Sequence, residues 1–135
     1  MQGKKQFEEK LFTTVQLSKR ISASNYYRKV KQQIKFDFIY PKTKLLYSKR
    51  GKESLDPVVF FKLCLIRKHE NWSSDVKLMN WVKIRLDLLY FLDYNLDDKL
   101  PASATISHTR SHFPPALFNE IFEQIESMIA EKEIQ

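Results

Sequence analysis

The chain has 135 residues, 43% of them hydrophobic, and a net charge of +7, which is enough apolar material for one sizeable core and too little length for two ordinary domains. Ten Phe, six Tyr and two Trp exclude a solvated, disordered chain, and the apolar runs at residues 57–65 and 86–92, interrupted by Lys62 and Asp87, fall far short of the ~20 residues of a membrane-spanning helix. The charge is divided: the first 68 residues hold 17 Lys and Arg against five acids, or +12, and the rest hold six against eleven, or −5, which points to a polyanionic partner, phosphate backbones foremost.

Residues 1–10 are charged and lack the apolar stretch of a secretory signal, so the expected compartment is the cytoplasm. With two glycines in the whole chain and apolar positions recurring at spacings of three and four, the expected fold is all-α, a compact multi-helix bundle forming one domain over residues 1–135. A first helix is predicted over 4–12, followed by an irregular stretch through Ile21. The second is predicted over 25–34 with Ser24 as its cap and Tyr26, Tyr27, Val30 and Ile34 on its apolar face. A third runs over 38–47, with Asp37 capping and Pro41 tolerated in the first turn. After a basic loop at 48–54, Asp56 followed by Pro57 starts a fourth helix through Lys68. Ser73 or Ser74 caps a fifth through Arg85, with Val76, Met79, Val82 and Leu86 as its apolar stripe and Trp81 beside it, and Leu88 to Leu92 either continue it or begin another turn. An acidic turn at 93–99 precedes a short helix capped by Ser103 and ending near His112. Pro114 stops that helix and Pro115 begins the last one, whose apolar face is Leu117, Phe118, Ile121, Phe122, Ile125, Met128 and Ile129.

No catalytic set is visible in these elements. Cys64 sits in an apolar run, where a buried thiol acts as a small hydrophobe. His108 and His112 share a helix face, but no acid lies between Asp98 and Glu120 to serve as a base or further ligand, so no metal site is assigned. The acids Asp93, Asp97 and Asp98 lack the alternation and glycine of a calcium loop. Two features suit nucleic acid. The first is the basic segment Lys42, Lys44, Lys49, Arg50 and Lys52, interleaved with Tyr40 and Tyr47 and placed before a helix N-terminus that attracts phosphate. The second is a helix-turn-helix-like pair near residues 74–113, a longer helix and then a short one carrying Thr105, Ser107, His108 and Arg110, a combination of hydroxyls and basic groups suited to reading bases.

At these residues the chain resembles the N-terminal domain of bacterial insertion-sequence transposases of the DDE class, the group with InsH-like N-terminal regions. The resemblance runs through Glu9 to Phe12, Phe36 to Tyr40, Tyr47-Ser48 and Gly51 to Leu63. It continues through Leu89 to Leu92, Leu96 to Asp98, Pro101 to Ser107 with Arg110 and Phe113, and then Leu117-Phe118 and Ile121-Phe122. Where the family tends to have Gly-Arg-Pro-Ser, this chain has Gly51-Lys52-Glu53-Ser54, replacing a bidentate phosphate binder by a point charge. The resemblance implies recognition of terminal inverted repeats in double-stranded DNA by a cytoplasmic, nucleoid-associated bacterial protein. It also implies that strand cleavage belongs to a separate ribonuclease-H-like domain whose three acids hold divalent metal. With that domain absent from the sequence, the chain is expected to be non-catalytic and without a cofactor of its own. The alternatives are a helical interaction module, with a homodimer through 115–131, and a truncated transposase acting as a non-catalytic repressor.

Overall fold

The most apolar stretch of the chain becomes its central helix. In the computed structural model, which describes residues 3–47 and 54–135, Phe60 to Ile66 are all buried, Lys62 included. A helix apolar on nearly every side belongs in the interior, and the others gather round it. The described residues form a 3-10 turn (Leu17–Arg20) and α1 (Tyr26–Gln33), α2 (Ile39–Tyr47), α3 (Pro57–Glu70), α4 (Asp75–Val82), α5 (Leu86–Phe91), α6 (Ser103–His112) and α7 (Pro115–Glu131), with no strand among them. The all-α expectation is thus met. Helices α2 and α4 pack on α3, α6 packs on α4, and α1 packs on α5. None of the described helices is long and apolar enough to cross a membrane.

Helix α3 begins where expected. The Asp56 carboxylate accepts from the Val58 N–H at 2.7 Å and Pro57 holds the first position, satisfying an amide that otherwise lacks a partner. It ends two residues later than expected, at Asn71, whose φ of 60° lets its own N–H reach Lys68 O while Trp72 N–H reaches Arg67 O. Asparagine tolerates this left-handed backbone better than most residues. Helix α7 closes the core from the other side. Ile121 and Ile125 are fully buried, and Phe118 lies 5.3 Å from Phe61, which itself lies 5.3 Å from Phe113. The apolar face of α7 therefore packs into its own chain.

Four details differ from the sequence reading. No helix forms over 4–12: residues 3–16 carry no helical turn, and Phe7, Leu11 and Phe12 are exposed. So short a segment does not hold a helix without a surface to pack on. Asn25, not Ser24, caps α1, its side chain accepting from Arg28 N–H at 3.1 Å, and Ala102 rather than Ser103 occupies the cap of α6. Val76 is exposed, and Leu78 takes its place in the buried face with Met79 and Val82. Lastly, the helix expected to run from 74 toward 92 is two helices, so the pair near residues 74–113 is spread over three. Arg85 adopts extended backbone, and its guanidinium bridges Glu70 Oε1 at 2.8 Å and Asp87 Oδ2 at 2.7 Å. Asp87 in turn accepts from Leu88 N–H at 2.9 Å. A long-range ion-pair network thus cuts the helix and starts the next one.

Candidate nucleic-acid interface

Helix α6 is held by one buried carboxylate. Asp75, in the first turn of α4 and 5% exposed, accepts from Arg110 Nη2 at 2.7 Å, Ser107 Oγ at 2.7 Å and Arg67 Nη1 at 3.1 Å. Three helices, α3, α4 and α6, meet at it. Burial alone would raise the carboxyl pKa, but the hydrogen bonds from Arg110 and Ser107 and the charges of Arg110 and Arg67 outweigh it, and the group stays below its ordinary value. The Arg110 guanidinium also stands 5.8 Å over the Phe60 ring and 3.5 Å from Cys64 Sγ. Of the residues expected to read bases, Ser107 and Arg110 are therefore turned onto the protein.

The opposite face of α6 remains open. Thr105, His108, Ser111 and His112 are exposed while Ile106 is fully buried and anchors the helix. The His108 and His112 rings lie 4.1 Å apart, and His112 Nδ1 sits 2.9 Å from His108 O. A carbonyl only accepts, so Nδ1 carries the proton and Nε2 is presented outward as an acceptor. Between Lys99 and Asn119 the sequence contains no acid, so nothing on this helix repels phosphate.

The basic segment is divided by the structure. Lys42 and Lys44 lie on exposed positions of α2, fixed by buried Thr43, whose hydroxyl donates to Ile39 O at 2.9 Å. Lys42 Nζ pairs with Glu120 Oε2 of α7 at 2.7 Å, an exposed contact of the kind worth ~0–1 kcal/mol. Lys44 makes no ion pair among the described residues. Lys49, Arg50 and Lys52 lie outside the described residues. The N-terminus of α3, expected to attract phosphate, holds the Asp56 carboxylate, which also receives the Tyr40 hydroxyl at 2.9 Å. Burial and that carboxylate push the Tyr40 pKa up to about 12. Cationic side chains, not this helix end, are what α2 and its sequel offer an anion.

The charge division of the sequence has an internal use that composition concealed. Lys31–Asp93, Lys42–Glu120, Lys62–Asp93, Arg67–Asp75 and Lys68–Glu126 each join a cation of the first 68 residues to an acid of the remainder. Lys31 and Lys62 additionally donate to Tyr90 O and Phe91 O, capping the carbonyl end of α5. Burial lowers the Lys62 pKa, partly offset by Asp93. The exposed cations Lys19, Arg20, Lys35 and Lys44 remain without an ion pair among the described residues. Asp75 and Arg67 escaped the sequence reading because their partners lie eight to 35 positions away. The one hint was an arginine in α6, a helix with no other Arg, Lys, Asp or Glu. No three His, Cys, Asp or Glu side chains among the described residues are grouped to hold a metal ion.

A protein-family model described as a transposase domain (DUF772) matches residues 15–112. The match begins just before the 3-10 turn and ends with α6, so it covers the Asp75 junction and the whole of the open α6 face. No curated protein and no solved structure matches the chain.

Proposed function

Because the chain belongs to the transposase-domain family DUF772, we propose that it binds double-stranded DNA in transposition, recognising the terminal inverted repeats of an insertion sequence. Lys44, Lys49, Arg50 and Lys52 neutralise phosphates, and Lys42 joins them by exchanging Glu120 for the backbone. Thr105 and His108 approach the base edges. Ser107 and Arg110 act one step back, holding α6 through Asp75, and Arg110 reaches DNA only by leaving that carboxylate. The contribution of these residues is binding and orientation, not bond cleavage.

The observation that carries this reading is the outward face of α6: hydroxyl and imidazole groups, free of acids, on a helix whose strongest polar side chains are bound inside. A homodimer seam along 115–131 is less well supported, since Ile121, Phe122 and Ile125 are buried within the chain. The experiment is a fluorescence-anisotropy titration of matched inverted-repeat duplex against scrambled duplex. His108→Ala and Thr105→Ala should each reduce the preference for matched duplex by about 1–3 kcal/mol if they touch base edges. Equal loss on both duplexes places them on the backbone, and an absence of preference in the unmodified chain removes the proposal.

A further inference from the structure

The N-terminal arm and the surface between α3 and α7 are each incomplete in the same way. The arm, residues 3–14, has no secondary structure, and Phe7, Leu11 and Phe12 are 81%, 88% and 84% exposed. Apolar side chains so placed are the mark of a contact surface without its partner. Phe7 and Leu11 are four positions apart and come onto one face if the arm turns helical. The arm also carries Lys4, Lys5 and Lys10 against Glu8 and Glu9, a small positive excess.

Along α3 and α7 runs an open groove. Two hollows, of about 480 Å³ and 430 Å³, share Lys68 and Glu126 and so form one trough, floored by Cys64, Leu65 and Phe122. From Phe118 to Ile129 it follows roughly 17 Å of α7, longer than the two turns that carry Phe7 to Phe12. Its rim on α7 is acidic: that helix contains Glu120, Glu123, Glu126 and Glu131 and no Lys or Arg. Glu123 makes no ion pair among the described residues, and Glu126 pairs only with Lys68. A duplex is repelled by that rim, whereas a short cationic amphipathic segment fits it in shape and sign.

We propose that this groove receives the N-terminal arm of a second copy of the chain, folded there as a short helix with Phe7 and Leu11 inward and its lysines toward Glu123 and Glu126. The arm of the same chain is badly placed for the role. It leaves the body beside Asn95 to Asp97, next to Asp93, which pairs with Lys62 on α3. Cys64, Arg67, Lys68 and Asn71 lie roughly half a turn round α3 from Lys62. Exchange between two copies satisfies both grooves at once, as a two-fold contact requires. The inference does not rest on DNA binding and stands or falls separately from it.

Sedimentation equilibrium of the full chain over a concentration series reaching high micromolar values tests it. The unmodified chain should dimerise. Phe7→Ser with Leu11→Ser should weaken the dimer by at least roughly tenfold without changing the helical circular dichroism. Glu123→Lys should weaken it as well. Pairing is then located by disulfide capture in a Cys64→Ala background, with Leu11→Cys on one chain and Asn119→Cys on the other. Covalent dimers on mild oxidation are the expected result. A chain monomeric at every concentration overturns the proposal. A dimer indifferent to the arm substitutions overturns it too, as does a disulfide closing within one chain when both cysteines are placed together.

Discussion

Asp75 shows how one side chain decides what its neighbours are free to do. Its carboxylate pairs with Arg67 and Arg110, so an arginine that looks like a base reader in sequence becomes a strut. Arg110→Ala removes two charge-assisted bonds from a carboxylate that stays buried, and should lower stability by about 1.5–3 kcal/mol in urea denaturation. The sign of the pH dependence follows from the depressed pKa. A carboxyl held below its ordinary 3.8 contributes stability that is fully present above that value and is lost as pH falls through the folded pKa. Asp75→Asn should therefore be less stable than the unmodified chain at neutral pH, and the gap should narrow as pH falls below about 4. A gap unchanged down to pH 2 would contradict the linkage. Cys64 belongs to the same junction. Burial, offset in part by Arg110, pushes its thiol up to about 11, so an aromatic disulfide reagent at neutral pH should modify it only slowly until the chain is unfolded. At this scale the burial of Cys64 was legible from the apolar run around it. The inward turn of Ser107 and Arg110 was not, because direction on a helix is set by what the other helices present.

Helices α3 and α7 were legible because their signals are local, a cap with proline at the start and an apolar repeat along the length. Asp56 is the clearest case. Asp56→Ala should cost about 0.5–2 kcal/mol from the lost cap, read as a fall in thermal midpoint, and the Tyr40 hydroxyl loses its acceptor as well. A midpoint equal to that of the unmodified chain would mean the cap contributes nothing. The break between α4 and α5 could not be read, since its cause is Arg85 reaching Glu70 at the end of α3 and Asp87 beyond the break. The arm failed as a helix for the complementary reason: the amphipathic pattern is there, but none of the described residues covers it.

For the molecule as a whole, the uneven charge of the sequence divides into two uses. Five ion pairs employ it to join the first half of the chain to the second, and only the remaining cations are available to a polyanion. The all-α architecture was evident from glycine scarcity and helical periodicity, whereas the internal use of the charges required the positions of both partners. With α7 acidic and α6 free of acids, the duplex belongs on the α2 and α6 sides. The most direct test is the salt dependence of binding to inverted-repeat duplex between roughly 50 and 200 mM, compared with a chain in which Lys44, Lys49, Arg50 and Lys52 are all replaced by Ala. Each lost phosphate contact should flatten the plot of log affinity against log salt by about 0.9, so the variant should lose between three and four units of slope, in proportion to those four residues. An unmodified chain whose affinity ignores salt, or a variant that keeps the full slope, would contradict the assignment.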